Sequence, residues 1–441
     1  MDYTGAKAYL KELPYREVKP GLERVSHLLE RLGNPHAGLV TVHVGGTNGK
    51  GSVVAMLSSV LEEAGLRVGT YTSPHLLDWP ERIRINGEWI PEEEFARLLS
   101  RLKPLIAEMS DKPTVFETLT ALAFQYFHEQ KVDLAVIEVG LGGRFDATNV
   151  IKPLVAVITH VERDHLDLLG PTLEHAAWEI SGLVKPGVPL VTGERKPKIL
   201  EVLAWECKAQ GQGAELLQVE AEPELVDFSW ERQVFWVDDW GEIELDLLGP
   251  YQGENLAVAL KAIEVLRRSL SLPDETVRRG LARARWPGRF QIYQERPYII
   301  LDGAHNPSGI RALRWGLELY HERYLKGHTK RILLFGAMRD KELDGMSEAL
   351  FPWFDELIFT KPDYYRAVAP EALLERASRF GKPAKVSTSA EEAFRRARAE
   401  LAEEDLLCVA GSLYLIGEIL GAEGWSSGSG SGADTNRRWR S

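Results

Sequence analysis

Between Val42 and Ser52 the chain reads VHVGGTNGKGS, and VVAMLSSVLEEAG follows with helical period. A β-branched run, a glycine-rich turn and a helix start therefore come in that order. Glycines let backbone N–H groups converge on phosphate oxygens, and a helix N-terminus adds partial positive charge. Gly46, Thr47, Asn48, Gly49 and Gly51 form the cradle in this reading. The Lys50 ammonium reaches the β/γ-phosphates of a nucleotide and the Ser52 hydroxyl holds Mg²⁺. The common pattern sets Ser or Thr directly after the Lys, whereas Gly51 intervenes here.

Further groups capable of chemistry stand at the ends of other apolar runs. Glu138 closes LAVIEV, and Asp164 and His165 follow VAVITHV. In a parallel sheet, ligands bind beyond the carboxyl ends of strands, so three strand ends can converge on one site. A carboxylate and a neutral imidazole beside phosphates suit a metal, although Mg²⁺ prefers oxygen, which makes His165 the less expected ligand on chemistry alone. Farther along, Asp302, His305 and Asn306 share one loop after YIIL. Asn306-Pro307 also suits an Asx-turn capping the next helix.

The elements that must position these groups alternate. Apolar strand-like runs recur at 39–45, 67–72, 133–139, 154–160 and 188–192, separated by helical patterns such as FETLTALAFQYFHEQ. This predicts an α/β fold with a mostly parallel sheet. From Ala214 to Leu248 the texture changes: QVFWVDD and GEIELDL alternate around a Trp-Gly turn, a small antiparallel excursion. Helices follow at about 254–270 and 273–284, and then WPGRF breaks the pattern. A second α/β series begins there (YIILDGAH, RILLFGA, ELIFTK, LLCVAGS), so a smaller Rossmann-like domain is expected after a boundary near Gly288–Gln294. Residues 424–441 are rich in Gly and Ser and read as a disordered tail.

With 441 residues, the chain has room for two or three domains. Its 65 acidic and 53 basic residues give a net charge of -12, a poor match to nucleic acid or anionic lipid. Cys207 and Cys408 make no metal-ligand spacing or disulfide framework, which fits a reducing cytoplasm. No apolar run approaches the roughly 20 residues that span a bilayer, and the N-terminus lacks a signal-peptide core.

GTNGKGS resembles the nucleotide loop of the Mur ligase superfamily, and of folylpolyglutamate synthase/dihydrofolate synthase in particular. GLERVSHLLERLGNP, TSPHL, ERIRING, IEVGLGGRFDATN, WPGRF, LDGAHNPSG and AGSLYLIGEIL extend the resemblance from about Gly21 to Gly421. Murein ligases carry a further domain of about 100 residues before this loop, and Lys50 leaves no room for one, which favours the folate branch. The resemblance implies an ATP-binding domain over 1–288 and a glutamate ligase domain over 289–423. It implies a cytoplasmic, monomeric ligase that uses ATP and Mg²⁺ to join L-glutamate to a folate-type carboxylate through an acyl phosphate.

Residue by residue, the resemblance makes Glu138 and His165 metal ligands, with Ser52, and sets Ser73 beside the first metal. It turns the loop of Asp302 and His305 toward the phosphates and the incoming amino acid. Arg289 falls near the phosphates, and Gln252 and Asn255 near the adenine; the family His before them is Tyr251 here. Lys341 matches a family Asp-Lys pair. A second position departs: the Lys that the family carbamylates to bind a second metal is Ile180. Its neighbour Glu179 is turned by about 100° around a helix, which leaves Glu162 and Glu174 as candidate replacements. Two alternatives therefore stay open, a Mur-type ligase with another carboxylate acceptor and a catalytically weakened nucleotide-binding homologue.

Overall fold

The strand Thr41–Gly45 is buried at every position and lies at the centre of an eight-stranded sheet. The order is Glu88–Trp89, Ile83–Ile85, Val68–Tyr71, Leu134–Glu138, Thr41–Gly45, Val155–Ile158, Leu190–Thr192, Leu216–Gln218. Only the first two strands run antiparallel to their neighbours. The parallel strands are covered on both faces, which is why they read as unbroken apolar runs. In register, Val42 pairs with Val136 on one side and Val155 on the other. This computed structural model describes residues 1–14, 19–164, 166–210, 214–325 and 329–425, apart from the side chains of Leu166 and Asp167. Most of the expected tail, 426–441, lies outside the described residues, as does His165.

Helix Lys50–Glu63 buries Val53, Val54, Met56, Leu57, Val60 and Leu61 on one face of the sheet with helix Gln252–Leu266. Helix Asp274–Arg283 packs on the first of these at Gly280, where an added Cβ would come within 2.5 Å of the Val60 Cα. On the other face, Tyr71 and Ile137 meet Phe124 and Phe127 of helix Val115–Glu129, whose Thr114/Glu117 capping box fixes its start. Two helix boundaries differ from the sequence reading by a few residues, because Pro250 and Gly249 shape the turn before Gln252, and a short turn ends the helix at Leu266.

The antiparallel excursion is a three-stranded sheet, Glu224–Phe228, Gln233–Val237 and Gly241–Leu245. Gly241, with φ 68°, makes the turn after Trp240. Phe228 and Trp230 pack on Tyr320, with ring centroids 4.9 Å apart in both cases, and Tyr324 Oη donates to the Phe228 carbonyl at 2.6 Å. The excursion thus ties the first sheet's layers to a second, six-stranded sheet. That sheet runs Gln291–Glu295, Tyr298–Asp302, Leu406–Ala410, Arg331–Phe335, Glu356–Phe359, Ala384–Val386, all parallel except the first. Among the described residues no helix is long and apolar enough to cross a membrane.

Candidate functional site

One cavity of about 470 Å³ lies where the carboxyl ends of the two parallel sheets face each other. The first sheet's side supplies the whole glycine loop, Gly46 to Ser52, with Ser73, Glu138, His160 and Glu162. The second supplies Asp302, Gly303, Ala304 and His305, and Arg289 comes from the connecting segment.

The loop is held open by its own backbone geometry. Gly46 and Gly49 have φ 119° and 83°, a region that favours glycine. A Cβ at Gly49 would collide with the Asn255 carboxamide, and one at Gly46 with Thr159. Thr159 Oγ1 donates to the Asn48 carbonyl at 2.6 Å, and Thr47 N to the His160 carbonyl at 2.7 Å. Gly49 caps helix Lys50–Glu63 without a side chain, so no cap side chain takes its first N–H groups. Lys50 Nζ donates to the carbonyls of Gly46 and Thr47 at 2.9 and 3.1 Å. Burial pulls the Lys50 pKa down, against the pull of Glu138 and Asp164. A charged ammonium in that setting gains from an arriving polyanion. Ser52 is buried in the first turn and lines the cavity.

Glu138 is buried at its strand end, and its Oε2 accepts from Ser73 N at 2.9 Å. Burial pushes its pKa up, while Lys50, the Ser73 N–H, Arg289 and Arg82 oppose that. The Ser52 hydroxyl and the Glu138 carboxylate are hard oxygen donors, and a buried carboxylate disfavoured as an anion suits a divalent cation. These residues fit one Mg²⁺. At the departing position there is no such fit. Ile180 does line the cavity, but it packs with Val139, Leu183 and Val184 and offers no donor atom. Glu179 does not line the cavity, and Glu174 lies in a separate groove with Trp178 and Trp205. Glu162 does line it, with its Oε1 2.7 Å from Lys196 Nζ. Among the described residues no three His, Cys, Asp or Glu side chains gather in a metal-binding cluster.

On the facing loop, His305 Nδ1 lies 2.8 Å from the Gly303 carbonyl, so that nitrogen carries the proton. Burial first, then Lys341 and Arg289, push its pKa down to about 3. Its Nε2 lies 3.8 Å from Asp164 Oδ2. Asn306 caps helix Pro307–Tyr324 through its Oδ1, as the Asx-turn reading expects. Its Nδ2 also reaches Asn48 Oδ1 at 2.9 Å and Asp164 Oδ2 at 3.1 Å. Lys341 Nζ closes the same junction on Asp164 Oδ1 at 2.7 Å, and both side chains are nearly buried.

Two expected site residues are engaged by their own neighbours. Asp302 accepts from Phe290 N and Ala304 N, both at 2.7 Å, and from Tyr251 Oη at 3.2 Å. Its carboxylate braces the connecting segment against the facing loop. Gln252 is fully buried and outside the cavity lining; its Oε1 accepts from Asn255 Nδ2 at 2.8 Å, which steers Asn255 over the loop. Sequence reasoning passed over the wall made by His160, Glu194, Arg195, Lys196 and Glu254. The strand-end argument covers most of it, since Glu194 to Lys196 follow the strand Leu190–Thr192.

Two family models match the chain: the Mur ligase middle domain over residues 44–263, and the Mur ligase glutamate ligase domain over 288–413. A Bacillus subtilis relative, dihydrofolate synthase/folylpolyglutamate synthase, is 35% identical over 95% of this chain and 98% of its own. The structure of Mycobacterium tuberculosis folylpolyglutamate synthase complexed with ADP matches with a TM-score of 0.87 and 31% identity, over 96% of this chain and 98% of that one. E. coli FolC in complex with DHPP and ADP matches at 0.83 and 31%, again over 96% and 98%.

Proposed function

Since the chain belongs to the folylpolyglutamate synthase/dihydrofolate synthase family of Mur-type ligases, we propose that the cavity between its two sheets joins L-glutamate to a folate-type carboxylate at the expense of ATP. The observation that carries this reading is the junction itself. A phosphate loop with its lysine and serine, a buried carboxylate and the loop of a second α/β layer all open into one space. Under this reading the division between an ATP-binding body and a glutamate ligase body falls at 288/289, and one chain is the working unit.

Amide formation from a carboxylate fails because the oxygen is a poor leaving group. Transfer of the γ-phosphoryl group to that oxygen gives an acyl phosphate. The amine of glutamate then attacks the acyl carbon, and phosphate departs with the original carboxylate oxygen. Two anions must first be brought in line, and most of the catalysis is positioning and charge neutralisation. Lys50 moves its ammonium from the Gly46 and Thr47 carbonyls to the terminal phosphates. Arg289, which lines the cavity beside Gly303, adds a second cation from the connecting segment. Ser52 and Glu138 would hold one Mg²⁺, which would neutralise charge on the phosphates. Neutral His305 presents its unprotonated Nε2 beside Asp164, where it can accept a hydrogen bond from the incoming amine and orient it. The Asp164–Lys341 and Asn48–Asn306 contacts close the cleft and keep water from the acyl phosphate.

The test is steady-state phosphate release with dihydropteroate and tetrahydrofolate side by side, with and without L-glutamate. The reading expects release that needs glutamate together with at least one acceptor. ATP hydrolysis indifferent to both acceptors would remove it.

A further inference from the structure

The glycine loop leaves the middle strand, Thr41–Gly45, with different chemistry on its two flanks. Toward strands Leu134–Glu138 and Val68–Tyr71 stand Glu138 and Ser73. Toward strands Val155–Ile158 and Leu190–Thr192 stand His160, Glu194 and Lys196, joined by Glu254 and Asn255 of helix Gln252–Leu266. With Lys50 and Ser52 on the terminal phosphates and Glu138 on one flank, the space left for the nucleoside is the flank lined by His160, Glu254 and Asn255.

We propose that Glu254 reads a hydrogen-bond donor on the nucleoside, and that His160 is the positioning residue that aims it. This rests on the nucleotide-site reading above. Glu254 follows the helix start by two residues and precedes Asn255, whose carboxamide covers Gly49 of the loop. Its side chain is 45% exposed and lines the cavity. Oε2 lies 3.2 Å from His160 Nε2, while Oε1 has no hydrogen-bond partner among the described residues. The imidazole is itself anchored, because its own backbone carbonyl accepts from Thr47 N and its ring packs near Gly193. Its Nε2 is buried and has no well-aligned hydrogen bond, so the carboxylate covers it without being saturated by it. The His160 pairing holds the Glu254 carboxyl below the usual range, with Arg195 and Lys196 assisting, so an ionised acceptor faces the nucleoside.

An acceptor of this kind recognises O–H or N–H donors. The nucleoside carries two sources, the ribose hydroxyls and the exocyclic amine of adenine. A charge-assisted hydrogen bond of this type corresponds to about a tenfold change in affinity.

The experiment measures binding of ADP, 2′-deoxy-ADP, 3′-deoxy-ADP and inosine 5′-diphosphate, with Mg²⁺, by calorimetry on the full chain and on Glu254→Ala, Glu254→Gln and His160→Asn. The expected result is a wild type that binds one analogue about tenfold more weakly than ADP. In Glu254→Ala, ADP drops to that analogue's level and the analogue loses nothing further; His160→Asn loses part of the same discrimination. A deoxy analogue in that role assigns the ribose, and the inosine analogue assigns the base amine. Equal ADP affinity in wild type and Glu254→Ala overturns the proposal, as does a loss shared equally by all four ligands. Absence of acceptor-dependent phosphate release, with ADP binding intact, sinks the ligase reading and leaves this one standing.

Discussion

Lys50 is a half-buried cation whose visible partners are two carbonyls of its own loop. Lys50→Ala is expected to cut ATP turnover by about a thousandfold, the scale of losing transition-state charge stabilisation, without lowering the melting temperature. Turnover near the wild-type rate would exclude the phosphate-loop assignment. Ile180 carries the opposite test. Its side chain lies in the cavity wall yet belongs to an apolar cluster, so Ile180→Lys puts an amine where the family has one. The expected outcome is some loss of stability together with ligation that rises when bicarbonate is supplied, read by phosphate release with and without bicarbonate; no bicarbonate effect in the variant would contradict it. The loop residues were legible because their chemistry is local: glycines, a lysine and a hydroxyl at fixed spacing. Asp302 and Gln252 were harder to read. Their carboxylate and carboxamide are consumed by Phe290, Ala304, Tyr251 and Asn255, and such pairings exist only after the chain has folded.

At the scale of elements, the first turn of helix Lys50–Glu63 meets the segment that joins the two sheets. An added Cβ at Gly51 would collide with the Trp286 indole. That contact explains why glycine separates Lys50 from Ser52. Gly51→Ala is expected to destabilise the protein by about 1–3 kcal/mol, typical of overpacking. Trp286→Ala in the same chain should recover part of the loss in urea denaturation, and strictly additive losses would contradict the contact. The buried parallel strands were readable as apolar runs, since burial on both faces leaves no other composition. Strands Glu224–Phe228 and Gln291–Glu295 were not separately readable, because their exposed or half-buried faces carry mixed residues and their pairing is long-range. The wall of Glu194 to Lys196 was missed for a related reason: Glu194 accepts from the N–H groups of Val161 and Lys196, a tie between two strand ends that spacing alone does not encode.

Across the whole molecule, closure of the cleft rests on a nearly buried pair, Asp164–Lys341, and on Asn306 reaching Asn48. Lys341→Ala removes the cation from a nearly buried ion pair at the junction, while Asn306 Nδ2 still donates to Asp164. The expected outcome is a lower rate of ligation with ADP affinity little changed, and a larger radius of gyration by solution scattering; unchanged rate and radius would contradict the closure role. The protein's pH response has its own signature in His43, buried beside Thr148 Oγ1 at 2.8 Å and pushed by burial to a pKa of about 3. Below about 6.5 the unfolded chain binds a proton there that the folded chain refuses. This contribution to stability is complete above that pH and is lost as pH falls toward 3. Glu62, raised by burial to about 7, works in the opposite direction between 7 and the ordinary carboxylate range. The difference between wild type and His43→Asn isolates the histidine, with a slope of up to about 1.4 kcal/mol per pH unit below 6.5. Parallel curves would place His43 in a solvated setting. The central claim is that both sheets serve one reaction in which an acceptor carboxylate is phosphorylated before glutamate attacks. Its most direct test labels the acceptor carboxylate with ¹⁸O and follows the released phosphate by mass spectrometry. The account predicts one labelled oxygen in each phosphate formed with amide product, whereas unlabelled phosphate accompanying that product would contradict it.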